Sequence, residues 1–394
     1  MTIISKITNK VSKLKVTSKK FIEKISKGIL CTIGKINFRN ISRYVDINEK
    51  TISRNYKDEN LVNITELNVI AIEEVYKPEN KNILVLDASF IKKSGKKTYG
   101  KGKFWDGKNS KVSKGLEISL LALVDTTYKT AYAINATQTT SELKEGETRI
   151  DYYLKQLKDN KDYFKEITHL GVDGFYSKKK FLDGAIELHK NIISKLRCDA
   201  DLKYLYQGDK TGKKGAPRKY DGKVDLKNHK FDYVITSIKG EKLYTAIVYS
   251  SSLKRKIKIV LVVNKESKQH IFYSTDLKLS ALDIFDYYSS RFQIEYLFRD
   301  SKGFTGLEDC QSTNENILNT HFNMSFFVLN SAKVEDRILK GEENTEPFSM
   351  LSYKRRASNL QMLNLFIHKF DVDLTSNKMA SAYHDLIQIG SIAC

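Results

Sequence analysis

Four side chains in the last third of the chain could together hold a metal ion and a phosphodiester. Tyr288, Arg291, Glu295 and Lys302 follow Ser280, and no Pro or Gly interrupts this segment. Because Ser280 is a suitable N-cap, we predict one helix that continues to Lys302. At about 100° per residue, the four side chains point within roughly 60° of one another. Glu295 could then hold a metal ion while the flanking cations hold phosphate oxygens.

The alternative is an amphipathic helix whose charged face is only solvated. A metal site would need more carboxylates, and two predicted strands supply them. Ile83–Asp87 and Ile167–Asp173 are apolar runs that each end in an aspartate. Aspartates at strand ends are often only turn formers. Asp199 and Asp201, which follow a later strand, compete with Asp173 for the role of second acid.

The order of predicted elements decides whether the two aspartates meet. After Ile83–Asp87 we predict, in order, strands Gly115–Asp125 and Lys129–Thr137, helix Thr148–Phe164, strand Ile167–Asp173, helix Ser177–Lys190 and strand Ile192–Cys198. Three strands, helix, strand, helix, strand is the order of an RNase H-like core, an α/β fold with a mixed sheet. The first and fourth strands are neighbours in such a sheet, so Asp87 and Asp173 should converge.

The spacing Tyr-x2-Arg-x3-Glu-x6-Lys resembles the signature of insertion-sequence DDE transposases of the cut-and-paste type. In that family the glutamate is the third catalytic acid, so the resemblance implies a triad of Asp87, Asp173 and Glu295. Three neighbouring carboxylates with only oxygen ligands suit Mg²⁺ or Mn²⁺. Two such ions would bracket the scissile phosphate.

The resemblance also implies partners and a reaction. Members of the family cut at terminal inverted repeats and join the freed 3′ ends to target DNA within a dimeric synaptic complex. Two alternatives stay open: an RNase H-like nuclease that cuts without joining, and a catalytically silent, transposase-derived regulator that only binds DNA. Double-stranded DNA is the expected partner of all three. The side chains expected to contact DNA are Tyr288, Arg291, Arg299, Lys302, Arg54, Arg218 and Lys219.

Composition agrees with a polyanionic partner. The 394 residues carry 67 Lys and Arg against 47 Asp and Glu, a formal net charge of +20. Such an excess favours nucleic acid, although a genome's base composition can also enrich lysine. The four cysteines are scattered, which fits a reducing compartment and gives no zinc or disulfide pattern. No apolar run is long enough to span a membrane. We expect a cytoplasmic protein that acts at the nucleoid.

Charge and pattern divide the chain into predicted domains. Residues 1–80 should form a small, basic, all-α DNA-binding domain, with a helix-turn-helix at 37–58 that presents Arg54, although any helical hairpin gives this pattern. Asn37 and Thr51 are the expected caps of its two helices. Residues 81–200 and 276–340 should form the RNase H-like core, in which Thr148 and Asp151 fit a capping box. Residues 201–275 should be an inserted β-rich subdomain. Its basic loop, Asp209–Lys223, carries Arg218 and Lys219, and its last predicted strand is Gln269–Ser274. Residues 341–394 should be helical.

One segment of the predicted core has no clear element. Lys92–Lys114 is rich in Lys and Gly and is interpreted as a loop. It contains Trp105, which is the only tryptophan of the chain. We expect this side chain to pack over the sheet edge; the alternative is stacking on a displaced base.

Overall fold

The structure is a computed structural model that describes residues 2–12, 14–208, 217–237 and 240–392. Its helices are α1 (Thr2–Lys10), α2 (Val16–Cys31), α3 (Phe38–Ser42), α4 (Glu49–Lys57), α5 (Ile64–Glu73), α6 (Arg149–Asp159), α7 (Lys179–Glu187), α8 (Ala281–Ser290), α9 (Gln293–Asp300), α10 (Glu315–Lys340), α11 (Met350–Phe370) and α12 (Asn377–Gln388). Its strands are β1 (Asn82–Lys92), β2 (Gly102–Asp106), β3 (Lys111–Asp125), β4 (Thr130–Thr139), β5 (His169–Val172), β6 (Asn191–Leu196), β7 (Leu202–Leu205), β8 (Tyr220–Lys223), β9 (Asp232–Thr236), β10 (Lys242–Ser250), β11 (Arg255–Val263) and β12 (Gln269–Ser274).

The centre of the fold is a mixed sheet in the order β4-β3-β1-β5-β6. β1 pairs antiparallel with β3 and parallel with β5, and β5 pairs parallel with β6. The buried residues of β1 and β3 are almost continuously apolar, as expected for strands that are covered on both faces. The predicted mixed α/β class is confirmed, and the strand order is the one predicted for the core.

The insertion between the second acid and the glutamate does not form a separate sheet. Its strands form near their predicted positions, and β12 coincides with the predicted Gln269–Ser274. However, β12 pairs antiparallel with β6, and β11, β10, β7 and β8 continue the same sheet outward. The predicted basic loop begins at Asp209, and residues 209–216 of it lie outside the described residues.

The N-terminal helices pack directly on the core. Asn68 on α5 is fully buried, and its side-chain amide donates to the carbonyl of Ile134 on β4 and accepts from Asn330 on α10. Asn37 caps α3 as predicted, but the next helix is capped by Asn48 and not by Thr51. The predicted role of these helices in DNA binding stays a prediction. None of the described helices is both long and apolar enough to cross a lipid bilayer.

The segment Lys92–Lys114 is a loop only in part: residues 93–101 are irregular as predicted, whereas residues 102–114 are not a loop. β2 and the first residues of β3 pair antiparallel across it and form a hairpin. Gly102 is required for this, because a Cβ atom there would lie 1.9 Å from the Cβ of Ser141. Trp105 on β2 is 60% exposed and does not cover the sheet edge.

Candidate active site

The sequence predicted that Asp87 ends its strand, but Asp87 lies within β1, which continues for five more residues. β1 continues to Lys92 because it stays paired with β3 through the register Lys92↔Gly115. The parallel neighbour β5 stops earlier, at Val172, which pairs with Leu86. The next residue on each strand is a candidate acid, so the ladder places Asp87 and Asp173 side by side at the point where β5 ends.

Burial makes Asp87 costly to ionise. Its side chain is 21% exposed, and its carboxylate accepts a hydrogen bond from the Ala88 amide at 2.9 Å. Desolvation raises the pKa of Asp87 to about 6, Arg291 opposes this, and the charges of Asp173 and Glu295 add to it. The three predicted acids therefore act on one another electrostatically, although they come from three separate parts of the chain.

Asp173 is held by the turn that follows β5. Its Oδ1 accepts from the Gly174 amide at 2.6 Å, and Lys195 on β6 forms an ion pair with it at 3.2 Å. The competing acids point elsewhere: Asp199 is 67% exposed and pairs with Arg197, and Asp201 is exposed. Of these three aspartates, only Asp173 directly follows the strand beside Asp87; its role as the second acid stays a prediction.

The predicted signature helix is split in two. α8 begins after Ser280, whose side chain accepts from the Asp283 amide as expected for an N-cap. The helix ends at Ser290 and resumes at Gln293, and a π-helical turn over Ser301–Thr305 follows α9. The prediction of one continuous helix to Lys302 was therefore wrong, because Arg291 and the next residue form a turn at the active-site edge.

Arg291 joins the signature to the sheet. Its guanidinium donates to Asp87 Oδ2 at 3.3 Å and to Glu295 Oε1 at 3.4 Å, and it lies over the Tyr288 ring. The side chain is only 10% exposed, and its Nε has no hydrogen-bond partner among the described residues. Arg291 thus bridges two of the three predicted acids and keeps one buried donor without a partner.

The other signature residues also reach this edge. Tyr288 stacks on Phe272 of β12 with ring centroids 4.3 Å apart. Lys302 donates to Ser89 Oγ at 3.0 Å and to the Phe90 carbonyl at 2.8 Å, just beyond Asp87 on β1. Tyr288 and Lys302 therefore lie on opposite sides of the carboxylates, one beside the insertion and one beside β1.

The remaining residues predicted to contact DNA are not part of this cluster. Arg299 pairs with Asp300 and lies over the Tyr296 ring. Arg54 is exposed on α4. Arg218 and Lys219 belong to the insertion, where both are exposed and Arg218 pairs with Asp221 of β8. None of these four side chains forms a hydrogen bond or an ion pair with the three acids, and their contacts with DNA stay predictions.

Lys195 was missed by the sequence analysis. Its ion pair with Asp173 places an ammonium at the site, and the neighbouring Tyr288 and Asp173 raise the pKa of Lys195 against the effect of its own burial. Its position on the strand next to β5 was the available signal. The parallel register Gly171↔Ile193 puts Lys195 level with Asp173, just past the end of β5.

The acids fit a hard divalent cation by their chemistry, but they do not surround one as they stand. Within the described part of the chain, no three His, Cys, Asp or Glu side chains are close enough together to hold a metal ion. The pKa of Asp87 is raised by burial and further by two other acids, and such a carboxylate favours a positive charge beside it. In this structure Arg291 provides that charge to Asp87 and Glu295. The three predicted acids are therefore close enough to interact electrostatically, but they do not form a complete set of metal ligands.

Comparison with protein families decides which family the chain belongs to. The family model described as "Transposase DDE domain" matches residues 78–331, which is well over half of the chain. The chain belongs to this family of DDE transposases. The matched range begins just before β1, ends within α10 and includes all three predicted acids. The sequence-based assignment to the DDE transposases is confirmed, whereas the narrower signature class stays a prediction.

Similarity outside the family model is weak. No curated protein matches the sequence. Among solved structures, the chain is similar to a piggyBac transposase in a synaptic complex with hairpin DNA. The identity is 12% and the TM-score 0.42, over 99% of this chain and 76% of that one.

Proposed function

We propose that this DDE transposase mobilises an insertion sequence: it cuts at the terminal inverted repeats and joins the 3′ ends to target DNA. One observation supports this most directly. Asp87, Asp173 and Glu295, which lie far apart in sequence, interact electrostatically beside β1 and β5, and Arg291 lies against two of them. A carboxylate cluster with an adjacent buried guanidinium is suited to phosphoryl transfer, because each phosphate oxygen needs a positive partner.

The three carboxylates would hold Mg²⁺ or Mn²⁺, which supplies an activated water or hydroxyl and stabilises the leaving oxygen. Arg291 would exchange its present bonds to Asp87 and Glu295 for bonds to a DNA phosphate. Its partnerless Nε gives it an additional donor for that purpose. Lys302, on the far side of Asp87, would hold the next phosphate and orient the strand.

We further propose that two copies act together, one on each end of the element, because joining both ends to one target requires two sites. Acting on DNA would place the protein at the nucleoid of the cell. The α3–α4 pair would add base contacts through Arg54, and the insertion would contribute Arg218 and Lys219 to holding the transposon end.

The test is cleavage of a labelled duplex that carries the terminal repeat flanking the gene, in the presence of Mg²⁺, Mn²⁺ or EDTA. We expect metal-dependent nicking at the repeat end, followed by transfer of the 3′ end to a second duplex. Asp87→Asn, Asp173→Asn and Glu295→Gln should each abolish both steps and retain binding to the repeat. Asp199→Asn is the matched control, since it removes the competing acid, and it should cut like the wild type.

Different outcomes separate the alternatives. Cutting without transfer would favour an RNase H-like nuclease. Binding to the repeat that is insensitive to EDTA, with no cutting in any metal, would favour the silent regulator. If Asp199→Asn and not Asp173→Asn removed activity, the assignment of the second acid would be wrong.

A further inference from the structure

The hairpin of β2 and β3 presents an exposed face of unusual composition. Two cross-strand pairs lie next to each other on it, Lys103↔Lys114 and Trp105↔Val112. All four side chains are exposed, and Trp105 and Val112 are each 60% exposed. We call these four residues the hairpin face. It combines an indole and an aliphatic side chain with two ammonium groups that lie two positions away along the same strands.

The hairpin is held firmly from its other side, so this exposure is not due to fraying. Phe104, which points the opposite way from Trp105, is 2% exposed, and the Arg149 guanidinium of α6 lies 4.5 Å from its ring centre. Asp106 is buried and accepts hydrogen bonds from Asn109 across the turn. The fold therefore anchors one face of the hairpin and leaves the other open.

The charge on the open face has no carboxylate partner among the residues that the structure describes. Lysines directly opposite each other on neighbouring strands repel. Neither Lys103 nor Lys114 forms an ion pair with a described carboxylate. The surrounding segment, residues 92–114, contains nine lysines and a single acid, and that acid, Asp106, is on the anchored face. Such a surface is complementary to a polyanion and not to a second copy of this basic chain.

The hairpin continues the strand that passes the candidate active site. β3 carries both the hairpin and Leu120, the residue paired with Asp87; Val112 is eight residues from Leu120, about 27 Å along an extended strand. The side-chain bond from Asn109 lowers the pKa of Asp106, on the anchored face, and the charge of Lys302 adds to that effect. Lys302 in turn contacts Ser89 and Phe90, directly beyond Asp87.

We infer that the hairpin face binds a DNA strand that continues beyond the cleavage site, with Trp105 stacked on an unpaired base and both lysines on the flanking phosphates. This rests on the proposed function, which brings DNA to Asp87. An indole can stack on a base only where the base face is free, because in a duplex each base is covered by its neighbours. The lysines, two positions along the strands, are about 7 Å from the indole and so reach the backbone of the same stretch of strand.

The single tryptophan makes the inference directly measurable, since all tryptophan emission comes from Trp105. The full chain is titrated with a duplex that ends in a short single-stranded overhang and with the fully paired duplex of the same sequence. We expect the overhang to quench the emission and protect it from acrylamide. Emission and acrylamide accessibility that stay unchanged at saturating overhang DNA would overturn the inference.

Variants test the energetic contribution by the anisotropy of labelled DNA. Trp105→Leu should weaken binding of the overhang about 5- to 150-fold and leave the fully paired duplex nearly unaffected. A double change, Lys103→Gln with Lys114→Gln, should lower the salt slope for the overhang by about 1.4, as expected for two lost phosphate contacts to a single strand. The matched control is Tyr233→Leu, because Tyr233 is a comparably exposed aromatic residue on β9.

Circular dichroism and the urea midpoint confirm that each variant is folded. Equal loss of affinity for both duplexes in Trp105→Leu would overturn the assignment to an unpaired base. Equal loss in Tyr233→Leu would show a general surface effect and also overturn it. If the protein cuts DNA in a metal-dependent way and the hairpin variants bind DNA normally, the hairpin inference alone is refuted. If the protein does not bind DNA at all, the proposed function is refuted as well.

Discussion

Replacing Asp87 by Asn should make the protein more stable at neutral pH and also inactive. The folded chain buries this carboxylate, and its pKa is raised to about 6 from an ordinary value of 3.8. The ionised form is therefore disfavoured in the folded state relative to the unfolded state. The Asp87 carboxyl makes its full contribution to the free energy of unfolding below pH 3.8, and this contribution is lost as the pH rises through about 6.

The expected size follows from the shift. About two pH units at ~1.4 kcal/mol each correspond to about 3 kcal/mol of stability lost by the wild type at pH 7. Asparagine removes the charge but turns an amide toward Arg291, whose hydrogen bond to Asp87 Oδ2 is lost at a cost of about 1 kcal/mol. We therefore expect Asp87→Asn to be more stable than the wild type by about 1–3 kcal/mol at pH 7.

The assay is urea unfolding in EDTA, at half-unit steps between pH 4 and pH 7.5. The difference between variant and wild type should be small at pH 4 and grow until about pH 7. Asp199→Asn removes an exposed carboxylate, and its stability should stay within about 0.5 kcal/mol of the wild type throughout. Two results would refute the electrostatic description of the site: Asp87→Asn is no more stable than the wild type at pH 7, or the difference does not change with pH. Either would show that ionising the buried Asp87 carboxyl does not destabilise the folded protein.

Three further predictions concern the frame around the site. Lys333 is buried, and burial lowers its pKa to about 8. Its contribution to folding stability is therefore complete above pH 10.5 and is lost as the pH falls through about 8. In urea unfolding, Lys333→Met should raise the free energy of unfolding by about 2 kcal/mol at pH 7.5 and by less at pH 10. Asn330→Ala removes the donor to Asn68 Oδ1 and the side-chain partners of both backbone groups of Ala133. It should cost at least about 3 kcal/mol in the same assay, with Asn377→Ala, an exposed residue of α12, as the neutral control. Ser280→Ala removes the cap of α8 and should cost about 1 kcal/mol; no loss of stability would contradict the capping role.

Local signals in the sequence determined most of the elements correctly. Ser280 and Asn37 cap their helices as predicted, and the Thr148 amide donates to Asp151 as the capping-box pattern requires. Caps and strand periodicity depend on residues within a few positions of one another, so the sequence contains the whole interaction. The order of these elements was sufficient to bring Asp87 and Asp173 to neighbouring strands.

Tertiary structure decided where elements end and what the acids contact. β1 continues past Asp87 because β3 remains available for pairing, and part of the segment expected to be a loop became a hairpin for the same reason. The insertion joined the core sheet because the edge of β6 was open to β12. The contact of Arg291 with Asp87 spans 204 positions of sequence. Pairing partners and distant ion pairs depend on the packed chain, and no local pattern encodes them.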